Sequence, residues 1–267
     1  MFSWLRNRRR RKLLSVPFAP EWSEYLERNF SYDAHLCESE RAKLRDFVKI
    51  FVAEKNWVGC GGLEVTDEMR VTIAAMAGLL VLGIELPYYF EGVQSVLVYP
   101  SAYRHPPRQQ GTGQVVYEGM PVQGEAWHRG PIVLSWEDVL GGARNPSDGH
   151  NVVLHEFAHH LDGLDGDTDG VPPMQTQGQY DQWFRVTQRE YEQLVRHSEA
   201  GKATLLDHYG ASDEAEFFAV ATEAFFERPV QLKRRQGELY EVLHKFYRQD
   251  PARWHEAGGA NGKATPE

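Results

Sequence analysis

Apolar residues recur at intervals of three and four along most of the chain, and the interruptions divide it into three stretches. Helical patterning opens at Pro20, which is followed by Glu21-Trp22-Ser23-Glu24-Tyr25-Leu26. It resumes after Ser39, read as an N-cap, with Leu44, Phe47, Val48, Phe51 and Val52 on one face. Gly59 to Gly62 break the pattern. Thr66 caps the next helix, Asp67 and Glu68 fill its first turn, and the helix is almost wholly apolar from Val71 to Leu82 before ending near Gly83. An apolar run of about 12 residues is too short to span a bilayer and predicts a buried helix.

The middle stretch changes period. Val93–Tyr99, Gln114–Glu118 and Ile132–Trp136 read as strands, set apart by segments rich in Gly, Pro and Arg, and together predict one small mixed sheet. Helical patterning returns at about 148–162, 180–199, 213–227 and 235–248, with a Gly/Asp/Pro loop over 163–178. Helices, a small sheet and helices again predict an α+β fold. Residues 20–256 are expected to form a single domain, between a basic, flexible segment at 1–19 and a disordered tail at 257–267.

Composition narrows the classes. With 42% hydrophobic and 25% charged residues, the chain of 267 residues has the make-up of an ordinary globular protein. A net charge of −9 argues against direct nucleic-acid binding. The exception is the basic run Arg6-Asn7-Arg8-Arg9-Arg10-Arg11-Lys12, read first as a solvated tail and second as a contact for a membrane surface or polyanion. No apolar stretch of signal-peptide type follows it. Cys37 and Cys60 are the two cysteines, without a C-x-x-C pair, and are expected to be reduced, buried thiols of a cytoplasmic protein with no membrane span.

The candidate chemistry lies at His155-Glu156-Phe157-Ala158-His159. On a helix, positions i and i+4 differ by about 40° around the axis, so both imidazoles leave one face and can reach one Zn²⁺ at about 2.0–2.1 Å. Glu156 stands where a carboxylate can take a proton from a metal-activated water. A catalytic zinc needs a third protein ligand. Glu216 is the leading candidate, because it is a carboxylate set among the apolar residues of 213–226, where a lone charge is costly unless paired. Glu223, one heptad on, shares its face and is either the alternative ligand or a partner to a ligating histidine. Glu214 reads as a solvated first-turn residue, and His160 as a packing histidine pointing away from the pair. Asp165-Gly166-Asp167-Thr168-Asp169-Gly170 opens like a calcium loop, but its twelfth position is Thr176 and Pro172 and Pro173 interrupt it, so it reads as an acidic loop at the cleft rim. Asp162 is expected to orient a histidine or tie down the helix end.

His155–Asp162, the continuation through Gly166, and Tyr209 followed by Ala215-Glu216-Phe217-Phe218-Ala219-Val220 resemble the Mlc titration factor A family of glutamate-type zincin metallopeptidases. Gly61–Val71 and Gly130–Trp136 extend the resemblance over most of the chain. The resemblance implies His155, His159 and Glu216 as zinc ligands, Glu156 as general base and Tyr209 as a substrate-facing group. It implies aminopeptidase-like hydrolysis of a peptide or protein substrate, and the glucose-system transcriptional repressor Mlc as a partner. Tyr209 has a physical case of its own, since a phenol beside the metal can donate to the oxyanion of peptide hydrolysis. Asp207 and His208 compete for that role, and simple packing is the plain alternative for Tyr209. Two functions follow: a zinc peptidase, or a protein that sequesters a regulator and keeps zinc for structure. Glu156 favours the first, because a structural site needs no base.

Overall fold

The computed structural model describes residues 2–84, 87–101 and 130–256. In chain order it has α1 (Phe2–Leu14), α2 (Pro20–Asn29), α3 (Glu38–Glu54), β1 (Asn56–Gly59), α4 (Asp67–Val81), β2 (Ser95–Tyr99), β3 (Ile132–Ser135) and α5 (Trp136–Arg144). It continues with α6 (Val152–Asp162), α7 (Gln177–Glu199), α8 (Glu214–Glu227), α9 (Pro229–Arg235), α10 (Gly237–Tyr247) and α11 (Arg253–Glu256). Short 3₁₀ turns cover Ser31–His35 and His208–Ala211. The architecture is α+β, mostly helical around one small sheet.

The order of the sheet is β1-β2-β3, and both pairs are parallel, with Trp57 opposite Val96 and Leu97 opposite Val133. Parallel neighbours need a crossover, and α4 supplies the one between β1 and β2. The sheet is thus parallel rather than mixed among the described residues; the expected strand at 114–118 and the tail at 257–267 lie outside them. β1 is a strand the pattern does not predict, and it ends at Gly59, where the glycine break begins.

α4 is the centre of the core. Thr66 accepts from the Met69 amide to cap it, and from Val71 to Leu80 every side chain is buried. α2, α3, α5 and α6 pack around it. Burying apolar surface on every side stabilises such a helix far more than its propensity does. Asn29 ties three helices together: its amide donates to Glu68 and Thr72 of α4, and its oxygen accepts from Arg144 of α5 at 3.0 and 3.1 Å. The rear of α6 is pinned by Phe157, whose ring lies 4.8 Å from Phe90 and 5.7 Å from Phe51.

Three further expectations change. The basic run is not a loose tail but part of α1, which packs on α3. Arg10 holds Glu54 through both nitrogens of its fork, at 2.8 and 2.6 Å, and lies over the Tyr89 ring at 4.3 Å. Composition alone could not show a partner 44 residues away. Cys37 rather than Ser39 is the N-cap of α3, in a reciprocal box with Glu40. Neither cysteine is buried: both are free thiols, Cys37 exposed and Cys60 half-buried. No helix among the described residues is long and apolar enough to cross a membrane.

Gly83 closes α4 against the end of α10, where a Cβ would stand 2.3 Å from the Tyr247 carbonyl oxygen and 2.6 Å from that of Arg248. Backbone cannot yield as a side chain can. Gly83→Ala is expected to destabilise the fold by roughly 1–3 kcal/mol, although alanine restricts the unfolded chain more. A thermal midpoint equal to or above that of the parent chain contradicts this packing.

Candidate metal centre

α6 and α8 build the site between them. Asn151 caps α6 by accepting from the Leu154 amide, and Val153, Leu154, Phe157, Ala158 and Leu161 bury its rear face. That leaves His155 and His159, four residues apart, on the open face. Asp213 caps α8 by accepting from the amide of Glu216 itself at 2.9 Å, which fixes the first turn of the helix and aims that side chain. Nearly everything else on α8 is buried.

Nε2 of His155 lies 3.0 Å from Oε2 of Glu216 and 3.2 Å from Nε2 of His159; Nε2 of His159 lies 3.4 Å from the same Glu216 oxygen. Ligands held about 2.0–2.1 Å from a tetrahedral ion stand about 3.3 Å from one another, so this triangle matches one face of a zinc tetrahedron. The three residues form a group able to hold a metal ion, and it is the one such group of three or more His, Cys, Asp or Glu among the described residues. Two imidazole nitrogens and a carboxylate oxygen suit zinc better than the hard cations. The acidic loop at 165–170 adds no second centre of this kind among the described residues. Its carboxylates serve the backbone instead, Asp165 accepting from the Asp167 amide and Asp169 from that of Val171.

Electrostatics make the same demand. Burial opposes a charged His155, but hydrogen bonds to Glu216 and Glu223 prevail and raise its pKa to about 10. Burial likewise favours a neutral Glu216, yet His155 and His159 hold its carboxyl well below the usual range. The pocket of carboxylates therefore calls for positive charge at this point, which either a proton or a divalent cation supplies.

Glu223 settles on the outer side of His155. Its Oε1 accepts from Nδ1 at 2.8 Å, which keeps the proton on that nitrogen and turns the Nε2 lone pair toward His159 and Glu216. Its other oxygen accepts from the Asn151 amide. Sequence reasoning missed Glu227, one turn further along. Buried on α8, it accepts from the amides of Gly149 and His150 at 2.8 and 3.0 Å and from the Asn151 side chain at 3.2 Å. Burial pushes its carboxyl up to about 8, against the Asn151 bond and with the help of Asp148. The spacing 216, 223, 227 was the available signal, since steps of seven and four return to one face of a helix.

The remaining candidates fall on both sides of expectation. Tyr209 is exposed, its ring centroid 6.0 Å from that of His155, and its hydroxyl donates to Oε1 of Glu216 at 3.2 Å. Asp207 accepts from the Tyr209 amide, and His208 is paired with the Lys202 carbonyl instead. Glu156 is half-buried on α6, and its charge adds to the pull on His155. His160 packs near the Phe90 ring, 5.7 Å between centroids, and burial lowers its pKa to about 4, so it stays neutral. Asp162 secures the loop rather than a histidine: it accepts from the Gly170 amide at 2.9 Å. Gly170 has φ +78°, and a Cβ there would meet the Glu214 carbonyl oxygen at 2.3 Å. Beside the triangle opens a cleft of about 440 Å³, bordered by His155, Tyr209 and Glu223 and by the carboxylates of Glu137, Asp138 and Asp207.

This combination of fold and centre defines a metallopeptidase class, and the comparisons agree. Residues 4–248 match the family described as glucose-regulated metallo-peptidase M90, and the chain belongs to that family. It is 37% identical over 245 residues to the uncharacterized protein slr2042 of Synechocystis sp., covering 91% of this chain and 89% of that one. Mlc titration factor A of Klebsiella pneumoniae is 34% identical over 235 residues, covering 84% and 85% of the two chains. The protein of that name from Yersinia pestis is 31% identical over 252 residues, covering 93% and 89%.

If Glu223 orients His155 without touching the ion, Glu223→Ala should weaken zinc binding about 10–100-fold while leaving a site that still fills at higher zinc. Competition titration against a chelating dye measures this. An unchanged affinity removes Glu223 from the centre, whereas complete loss of the site makes it a ligand.

Proposed function

We propose that the chain is a zinc-dependent peptidase of aminopeptidase type, with His155, His159 and Glu216 holding Zn²⁺, Glu156 as general base and Tyr209 stabilising the oxyanion. The observation that carries this reading is the triangle of donor atoms 3.0–3.4 Å apart. Zinc bound there supplies a Lewis acid and an acidified water. Glu156, next to His155 on the open side of α6, accepts the proton of the attacking water and passes it to the leaving amine. The Tyr209 hydroxyl, resting on the Glu216 oxygen turned away from the histidines, donates to the substrate carbonyl oxygen as negative charge gathers on it. Glu137, Asp138 and Asp207 line the adjoining cleft and favour a cationic group, which the free α-amino end of a peptide provides. The free thiols of Cys37 and Cys60 support a reducing, cytoplasmic setting.

A second reading rests on the relatives' printed name, Mlc titration factor A, which supports binding of the transcriptional repressor Mlc by this chain as well. Binding and hydrolysis can share one chain. A purely sequestering protein has no use for Glu156, and that residue separates the two.

Glu156→Gln keeps size and loses basicity. It should lower turnover of amino-terminal peptide substrates about 10²–10⁴-fold with zinc retained. Normal turnover excludes Glu156 as the base, and a parent chain that is zinc-loaded yet inert on a broad peptide panel favours the sequestering reading. Tyr209→Phe removes one donor from an exposed ring. A fall in kcat of about 10²–10³ at constant zinc content is expected, because the charge it meets exists only after attack. A rise confined to KM makes Tyr209 a binding residue, and a change below about threefold leaves it without a role in the reaction.

A further inference from the structure

Helix α1 has a face that the peptidase reading does not use. It carries six basic side chains, Arg6, Arg8, Arg9, Arg10, Arg11 and Lys12, and no acidic one, in a chain whose net charge is −9. Only part of that charge is spent on the fold. Arg10 faces the body, between Glu54, Glu91 and the Tyr89 ring. Arg9 donates to the Ala53 carbonyl at the end of α3. From α3, Lys49 donates to the carbonyls of Leu14 and Val16, closing the other end. These contacts fix how the helix is turned.

At 100° per residue, Trp4, Arg8, Arg11 and Lys12 fall within about 100° of arc on the side away from Arg10 and Leu14, and Leu5 borders them. All five side chains are exposed, Trp4 at 58% and Leu5 at 53%. Among the described residues Arg8, Arg11 and Lys12 form no ion pair; Arg8 lies 5.7 Å from the centre of the Trp4 ring. Trp4 lies within this face and Leu5 at its edge, about 100° further round the helix, and the rest of the fold covers neither. Here they stand beside a cluster of unneutralised cations on a helix about 20 Å long.

We infer that α1 is a peripheral membrane-docking helix, laid on a surface of anionic phospholipid headgroups with Arg8, Arg11 and Lys12 among the phosphates and Trp4 and Leu5 entering the interface. The charge complementarity is direct, since each basic side chain near such a surface strengthens binding roughly fivefold. Trp belongs at headgroup depth, with its ring among the acyl carbons and its N–H in the polar layer. Leu5 decides between polyanions. A nucleic acid satisfies the arginines equally well and can stack on Trp4, but an aliphatic side chain gains only from an apolar phase. The contact is reversible, because a few cations and two shallow apolar groups fall far short of a spanning segment.

The test is flotation of the full-length protein with phosphatidylglycerol-containing vesicles and with pure phosphatidylcholine vesicles, at low and high salt. Binding to the first alone, weakened by salt, is expected. Arg8→Glu/Arg11→Glu/Lys12→Glu should reduce it by more than an order of magnitude. Trp4→Ala/Leu5→Ala should weaken it and leave what remains more sensitive to salt. Emission should shift to the blue on binding in the parent chain and not in Trp4→Phe. An unchanged thermal midpoint shows each variant folded. Absence of binding to anionic vesicles at low salt overturns the inference. So does equal binding by the charge-reversed chain, or tighter binding to a DNA or RNA oligomer than to the vesicles.

Discussion

Everything at the centre depends on one row of carboxylates on α8 meeting the start of α6. Buried backbone amides that lie outside a helix need partners of their own. Here the amides of Gly149, His150 and Asn151, which lead into α6, turn toward Glu227 and Glu223. The next turn then presents His155 to the inner oxygen of Glu223 and to Glu216. One stripe of acidic side chains thus fixes where α6 begins, how it is rotated and which nitrogen of His155 faces inward.

That arrangement has a consequence for stability. Carboxylates gathered in a place from which water is largely excluded repel one another and lose hydration. Backbone amides and histidine protons offset part of this, and a divalent cation offsets more. An ion bound to His155, His159 and Glu216 would also link the two helices that carry the site. Metal uptake and the rigidity of the cleft are in this account a single property.

The parts of this plan legible in the sequence are those set by local periodicity. The pair at 155 and 159 and the candidate at 216 can be read because steps of four and the contrast of one carboxylate against apolar neighbours survive without knowledge of the fold. So can α4, whose apolar run has no other home than a core. Glu227 escaped because it lies at the end of its helix, where an acid reads as a solvated terminus, and its partners are loop amides some 77 residues earlier. The helix expected from about 148 begins at Val152 for the same reason: residues 149–151 are held open to face those carboxylates. β1 holds Asn and Gly in four residues and takes its strand character from Ser95–Val98 beside it. The direction of the strands depends on crossovers, which alternation of side chains does not encode. α1 is not legible in the sequence because its contacts to the body are made with Glu54 and Glu91, far along the chain.

In the proposed centre α6 and α8 together hold one ion by two imidazoles and a carboxylate. X-ray absorption at the zinc edge, on the whole chain loaded to stoichiometry, tests this arrangement. About one zinc per chain is expected, with nitrogen and oxygen neighbours at about 2.0–2.1 Å and outer-shell scattering that fits two imidazoles. In Glu216→Ala the two-imidazole signature should persist in whatever zinc remains bound. Sulfur scattering, or a spectrum with no imidazole contribution, would place the metal elsewhere and overturn this centre.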